Sequence, residues 1–346
     1  MTQEEYMKQV EQALGNTDEA TRNEILEDFT QHFTIGLKQG KSVEEIIASL
    51  GDVSQFEDLD DLPKAKAAVK TEESIKNKTD GDTQRTIMVD AGYADVDVTP
   101  SKDNQHHVYL IKDGVVTENS YLLEKREENG ALSLRMTNPN RFFHVFDRDL
   151  EIQLEVATCA QDLKILTASG DVELSGLTLD ALSIVTASGD IQAAKASAKN
   201  LRFHSASGDL VLKSIAGNLH FDTASGDAEI DGHSGESFTM KSASGDLNYR
   251  GSAKEVYLHS ASSDGVLNLT QVERLTIETV SGDYRIRLAA QGCGVKLDFK
   301  GISGECEFDL LDKKGRIEGR QGKTILGDGK ISIDLRSVSG DFSIED

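Results

Sequence analysis

The sequence predicts a mainly β protein: a single-stranded β-solenoid of coils of about 19 residues, preceded by a small N-terminal all-α helical bundle. Three observations carry this reading. The pentapeptide TASGD occupies Thr167–Asp171 and returns at Thr186–Asp190 and Thr223–Asp227. Around it, apolar columns repeat in register with it, which is the signature of stacked structural units. The first sixty residues instead show helix caps and helical apolar spacing.

In the N-terminal part, Thr2 caps a first helix and Glu5 closes the capping box, with Tyr6, Met7, Val10 and Leu14 on one face. A second helix runs from about Asp18 through Ile25, Leu26, Phe29, Phe33 and Leu37 to Gly40, which suits a left-handed stop. A third begins at Ser42 and Glu45 and ends at Gly51, and Asp52 caps a short fourth through Phe56 and Leu59. Tyr6, Val10, Leu26, Phe29, Phe33 and Ile47 form more apolar surface than three short helices cover mutually, so the region is expected to dock a protein partner or to self-associate.

Residues 1–62 are therefore one helical domain, and residues 63–85, almost free of large apolar side chains, read as a linker. Strand patterns follow in TIMVDAGYADVDV, HHVYLI, SYLLEKR and ALSLRM, with LEIQLEVA leading into the repeats. Residues 86–157 are expected to cap one end of the solenoid formed by residues 158–346.

Counting the last residue of each motif as register zero gives Asp171, Asp190, Asp209, Asp227, Asp246, Asp264 and Asp283, at intervals of 18 or 19. Eight residues before zero stand Leu163, Leu182, Leu201, Leu219, Phe238, Val256 and Leu275; six before stand Ile165, Ile184, Phe203, Phe221, Met240, Leu258 and Ile277. Strand alternation points both columns inward, together with the Ser or Thr four before and the Ser two before. Those hydroxyls are expected to bond the coil above or below. The glycine before zero permits a positive φ at the corner, and the Asp caps it in an Asx-type turn. The inward face resumes at Val172 and Leu174, Ile191 and Ala193, Leu210 and Leu212, and weakens at Gly265. Degraded copies, Ser303-Gly304-Glu305 and Ser339-Gly340-Asp341, end the repeats, with a long exposed hairpin around LGDGK before the last.

Composition narrows the function. With 37 Lys and Arg against 60 Asp and Glu, the net charge of -23 disfavours nucleic acid. The polar, acidic start and the lack of a long apolar run predict no signal peptide and no transmembrane segment, hence a cytoplasmic location. Cys159, Cys293 and Cys306 lack metal or disulfide spacing and read as reduced thiols. No cofactor or metal is expected.

The outward columns seven and five residues before zero place Arg202, His204, His220, Asp222, Lys241, Tyr257 and His259 on one face. Such a mixed polar patch could bind a glycan or a peptide, but the reading preferred on these residues is a row of ordinary solvated cross-strand pairs such as Asp222 with Lys241. No GxSxG, Walker loop, HExxH or Rossmann fingerprint accompanies it, so the sequence predicts a protein that is not an enzyme. The different-class alternative is a carbohydrate-binding or carbohydrate-active solenoid working at that face. One Asp per coil is expected to serve the turn rather than calcium.

The SGD coils, with the closing LGDGKISIDLRSVSGDFSIED, resemble the bacterial putative-adhesin family of β-strand repeats over residues 86–346. The segment EEYMKQVEQAL…EILEDFTQHFTIGLKQGKSVEEIIASLGD resembles the HAAS helical domain of Gram-positive bacteria. HAAS domains are commonly followed by membrane helices and associated with PadR-type regulators. Together the resemblances imply an adhesin-like, non-enzymatic interaction protein linked to the cell envelope, with association at the envelope or surface as the alternative to the cytoplasm.

Overall fold

The structure is a computed structural model in which the described residues are 2–13, 30, 33, 42–43, 47, 85–112, 114–117, 122–128, 131–136, 150–289, 293–318 and 320–346. The chain forms two compact units, residues 1–82 with 138–148 and residues 83–137 with 149–346.

In the first unit the helix Gln3–Ala13 starts as its sequence dictates. The Thr2 N–H donates to Glu5 Oε2 at 2.8 Å and the Glu5 N–H to Thr2 Oγ1 at 3.2 Å, a reciprocal capping box. These bonds, the Thr2 backbone first, hold the Glu5 carboxyl below its usual range. Tyr6 and Phe33 are fully buried, their rings edge-to-face at 6.0 Å. They therefore cannot serve as open docking surface, and Ile47 is half-buried. Thr30, Phe33, Val43 and Ile47 are helical; the rest of the second to fourth helices, and the linker, lie outside the described residues. One helix, not a bundle, is thus seen in full.

The second unit is a stack of coils, each giving a strand to two parallel ladders. In the first ladder the strands Asp162–Thr167, Thr178–Thr186, Ser197–Ser205 and Ala216–Thr223 pair so that Leu163, Leu182, Leu201 and Leu219 stand side by side. In the second, Val172–Ser175, Ile191–Ala194 and Leu210–Lys213 align Val172, Ile191 and Leu210. The longer strands Ala228–Ser244 and Leu247–Ser262 bend through both ladders. Side chains of the two predicted apolar columns lie between the ladders, none more than 3% exposed. Gly265 leaves a gap in its layer, and the Tyr284 ring of the next coil occupies it: a Cβ on Gly265 would stand 2.4 Å from that ring. The Tyr284 hydroxyl reaches Ser260 Oγ at 3.0 Å, so the polar tip is satisfied inside the core.

The corner differs from expectation in four respects. Thr167, Thr186, Ser205, Thr223, Ser242, Ser260 and Thr279 do point inward, but the serines two residues later are exposed or half-exposed, because the chain bends there and alternation stops. Most inward hydroxyls cap their own turn rather than a neighbouring coil. Thr186 and Ser205 accept the N–H of Gly189 and Gly208, whereas Thr223, Ser242 and Thr279 donate to the carbonyls of Ser225, Ser244 and Ser281. The second group coincides with positive φ at Gly226, Gly245 and Gly282. Gly170, Gly189 and Gly208 are not in the positive-φ region, so conformational freedom is not the common reason for glycine. Close approach is: a Cβ on Gly189 would meet the Gly170 carbonyl oxygen at 2.0 Å, and one on Gly208 the Gly189 oxygen at 2.0 Å.

The fourth difference concerns the Asp. Its carboxylate accepts the backbone N–H of the equivalent Asp one coil along, not of its own turn. Asp95, Asp171, Asp190, Asp209, Asp227, Asp246, Asp264, Asp283, Asp341 and Glu305 are joined in that order by bonds of 2.8–3.2 Å. The ladder also shows that chain order and stack order part at both ends. The strand Thr86–Gly92 lies between Ala131–Met136 and Asp162–Thr167. At the other end Ile331–Ser339 inserts between Arg274–Ser281 and Val295–Ser303, leaving the Glu305 copy outermost. The expected hairpin around LGDGK is absent, since Gln321–Leu326 and Ile331–Ser339 flank Val295–Ser303 on opposite sides. Each ladder ends in antiparallel strands: Leu123–Glu128 and Gln321–Leu326 in the first, Val115–Thr117 and Lys313–Glu318 in the second. Short or charged terminal strands such as LEKREE and KKGRIE blunt edges that would otherwise pair with other chains.

Candidate functional site

On the outside of the first ladder the register positions five and three before zero form the two sides of a groove of about 650 Å³. One side carries His204, Asp222, Lys241, His259, Glu278, Arg336 and Lys300; the other Ala206, Ala224, Ala243, Ala261, Val280 and Val338. Pairing register explains the alignment, since Asp222 stands opposite Lys241, His259 opposite Glu278, and Arg336 opposite both Glu278 and Lys300. Each coil contributes one polar and one small or apolar side chain at the same place, and the inserted last coil adds Arg336 and Val338 to the row.

Of the residues singled out in the sequence, His204, Asp222, Lys241 and His259 line the groove, while Arg202, His220 and Tyr257 stand on the adjoining outer column. The expected Asp222–Lys241 pair does not form. His220, on the same strand, takes Asp222 Oδ2 with Nε2 at 2.8 Å, and the other carboxylate oxygen is buried without a partner among the described residues. Glu278 is held from three directions: Tyr257 Oη donates to Oε2 at 3.0 Å, Arg336 Nη1 to Oε1 at 2.6 Å, and His259 Nδ1 lies 3.6 Å from Oε2. Burial first, and then the Glu278 contact, push the Tyr257 hydroxyl above its ordinary value. Both carboxylates of the groove are thus engaged by neighbouring side chains.

Arg336 and Lys300 went unrecognised in the sequence. They occupy the same register when counted back from Asp341 and Glu305, but the degraded spacing of those copies hid it. Glu278 occupies the same register, five residues before Asp283, and Arg336 reaches it only through the inserted last coil.

A second groove of about 850 Å³ follows the corner and is lined by the Asp ladder from Asp209 to Asp283 with Asp341, Glu305 and Glu307. Along it the Oδ1 atoms hold the backbone of the next coil, so the carboxylates already have a structural task. Among the described residues no group of three or more His, Cys, Asp or Glu is arranged to hold a metal ion. Cys159 and Cys293 are half-buried free thiols, and burial pushes the Cys306 thiol up to about 12. No helix among the described residues is long and apolar enough to cross a membrane.

A family model described as Toastrack DUF4097 matches residues 84–345, and one described as HAAS matches residues 5–56. No curated protein matches the chain. Among solved structures the chain is similar to a putative adhesin from Parabacteroides distasonis, at 11% identity over 77% of this chain and 94% of that one, with a TM-score of 0.46. A putative adhesin from Bacteroides fragilis is 12% identical over 77% and 93%, with a TM-score of 0.40. A putative cell adhesion protein from Clostridium sporogenes is 12% identical over 76% and 93%, with a TM-score of 0.21.

Proposed function

The chain belongs to the Toastrack DUF4097 family over residues 84–345, and from that premise we propose that its coil stack is a non-enzymatic binding scaffold presenting the groove of the first ladder to a macromolecular ligand. The observation that carries this reading is the groove itself, which runs across successive coils instead of closing around one reacting centre. A site this open and long suits an extended ligand, whereas catalysis asks for acid and base groups converging on one bond. Asp222 and Glu278, the carboxylates on its wall, are tied to His220 and to Tyr257 and Arg336. The N-terminal helices supply the second half of the proposal, docking a protein partner or a second copy through the apolar residues that the Tyr6–Phe33 contact does not use. A cytoplasmic location, with the envelope as alternative, completes it, and cell fractionation with surface-protease shaving decides between them.

The competing reading is a carbohydrate-active enzyme at the same face. Incubation of the full chain with a panel of polysaccharides, followed by assay for reducing ends or unsaturated products, separates the two. No release of reducing ends or unsaturated products is expected. Turnover that disappears in Asp222→Ala or Glu278→Gln overturns the proposal.

A further inference from the structure

Resting on the binding-scaffold reading, we infer that the groove takes an extended, acidic and apolar polypeptide segment of a partner protein. The first observation is a mismatch of satisfied charge. Elsewhere on the stack some cations pair with the neighbouring coil, as Arg250 does with Asp231 at 2.5 Å, Lys254 with Glu236 at 2.6 Å and Arg287 with Glu345 at 2.5 Å. Others, such as Lys164, Arg202 and Arg285, stand outside this groove without an ion-pair partner among the described residues. In the groove the carboxylates of Asp222 and Glu278 are engaged, yet Lys241 and Lys300 have no ion-pair partner among the described residues. What the groove leaves unmatched is positive charge, on a chain whose total is -23. Asp298, which shares a strand with Lys300 and feels its charge, is held by Lys323 at 2.5 Å, and the field of more distant acids is screened beyond about 8 Å at physiological salt.

The second observation is the opposite wall. Its alanines give way toward the end of the stack to Val280, 53% exposed, Val338, 43%, and Ile302 in the same register, 67%. These form one exposed apolar stripe beside Lys300 and Arg336. Cations facing an apolar stripe complement a chain that carries carboxylates and apolar side chains together, which a polypeptide does and a sugar polymer does not. The lining holds no Tyr, Phe or Trp on which a sugar ring could stack. Lys241 and Lys300 lie four strand spacings apart, about 19 Å, the reach of roughly six extended residues. Between them the hydroxyl of Ser337, in the groove floor and 7% exposed, has no hydrogen-bond partner among the described residues, unlike those of Thr223, Ser242 and Thr279.

The test is fluorescence anisotropy on the full chain with a short labelled peptide alternating aspartate and leucine. Peptides alternating lysine with leucine and aspartate with serine, and an oligogalacturonate, serve as competitors. Saturable binding of the Asp–Leu peptide is expected, weakened by added salt and by at least about tenfold in a Lys241→Glu/Lys300→Glu variant whose melting temperature is unchanged. Should that variant not fold, Lys241→Gln/Lys300→Gln reads the same loss. Binding of the Asp–Ser peptide equal to that of the Asp–Leu peptide removes the role of the apolar stripe and overturns the inference. Preference for oligogalacturonate, or no binding by any probe, also overturns it while leaving the non-enzymatic scaffold in place. Cleavage of the oligogalacturonate would instead bring down the scaffold reading itself.

Discussion

Asp209 and Asp227 stand one coil apart, and Oδ1 of Asp209 accepts the backbone N–H of Asp227 at 2.8 Å. The same bond recurs along the stack, so a carboxylate row that resembles an ion site is a device for holding one corner over the next. Asparagine keeps the Oδ1 acceptor and removes a charge from a row of like charges. Asp209→Asn should therefore keep the fold with a loss of no more than about 1 kcal/mol, while Asp209→Ala, which leaves the N–H unmet, should cost about 1–3 kcal/mol. Urea unfolding measures both. A saturable rise in melting temperature with micromolar calcium, lost in Asp209→Asn, would assign the row to metal instead.

At Gly208 the corner has no room for a side chain, although the Asp264 coil accommodates Ser263 at the same register. A Cβ at Gly208 would meet the Gly189 carbonyl oxygen at 2.0 Å, and backbone has no side-chain freedom with which to move away. Gly208→Ala should cost about 3 kcal/mol or more, whereas Ala206→Ser, two residues earlier and exposed, should stay within about 0.5 kcal/mol. Equal stability of the two variants would show that coil spacing relaxes freely at the corner.

His233 links the core to pH. It is 2% exposed, with Nε2 donating to the Gly217 carbonyl at 2.8 Å and Nδ1 accepting the Tyr249 hydroxyl at 2.8 Å, an arrangement that holds a neutral ring. Burial lowers its folded pKa below the usual 6.5, so on acidification the unfolded chain takes up the proton first. Stability from this group is present above about pH 6.5 and is lost as the pH falls from there toward the folded value. Melting temperature should drop between pH 7 and 5 more steeply in the wild type than in His233→Gln. Parallel curves would mean that His233 does not titrate in this range.

Oligomeric state tests the N-terminal unit. Light scattering should find the full chain dimeric or larger and a chain beginning at Thr86 monomeric. An unchanged mass would place the partner surface elsewhere and would mean that contacts like Tyr6–Phe33 cover the helical faces.

Much of this protein was determined by its sequence alone, because period and alternation are local properties. The spacing of Leu163, Leu182 and Leu201 fixes both the coil length and which side chains enter the core, and Thr2 with Glu5 fixes a helix start. The inward apolar columns, the position of the corner though not its bonding, and four of the seven candidate residues in the groove were legible for that reason. What the tertiary structure decided is everything that joins residues across coils. Alternation assigned the serine just before each corner glycine to the interior, but the bend turned it outward. An Asp could serve its own turn or the next, and the rise between coils selected the next. Gly265 read as a weak point until Tyr284 filled it. Arg336 reaches Glu278 only because Ile331–Ser339 threads back between earlier coils, and a chain insertion of that kind leaves no trace in any one repeat.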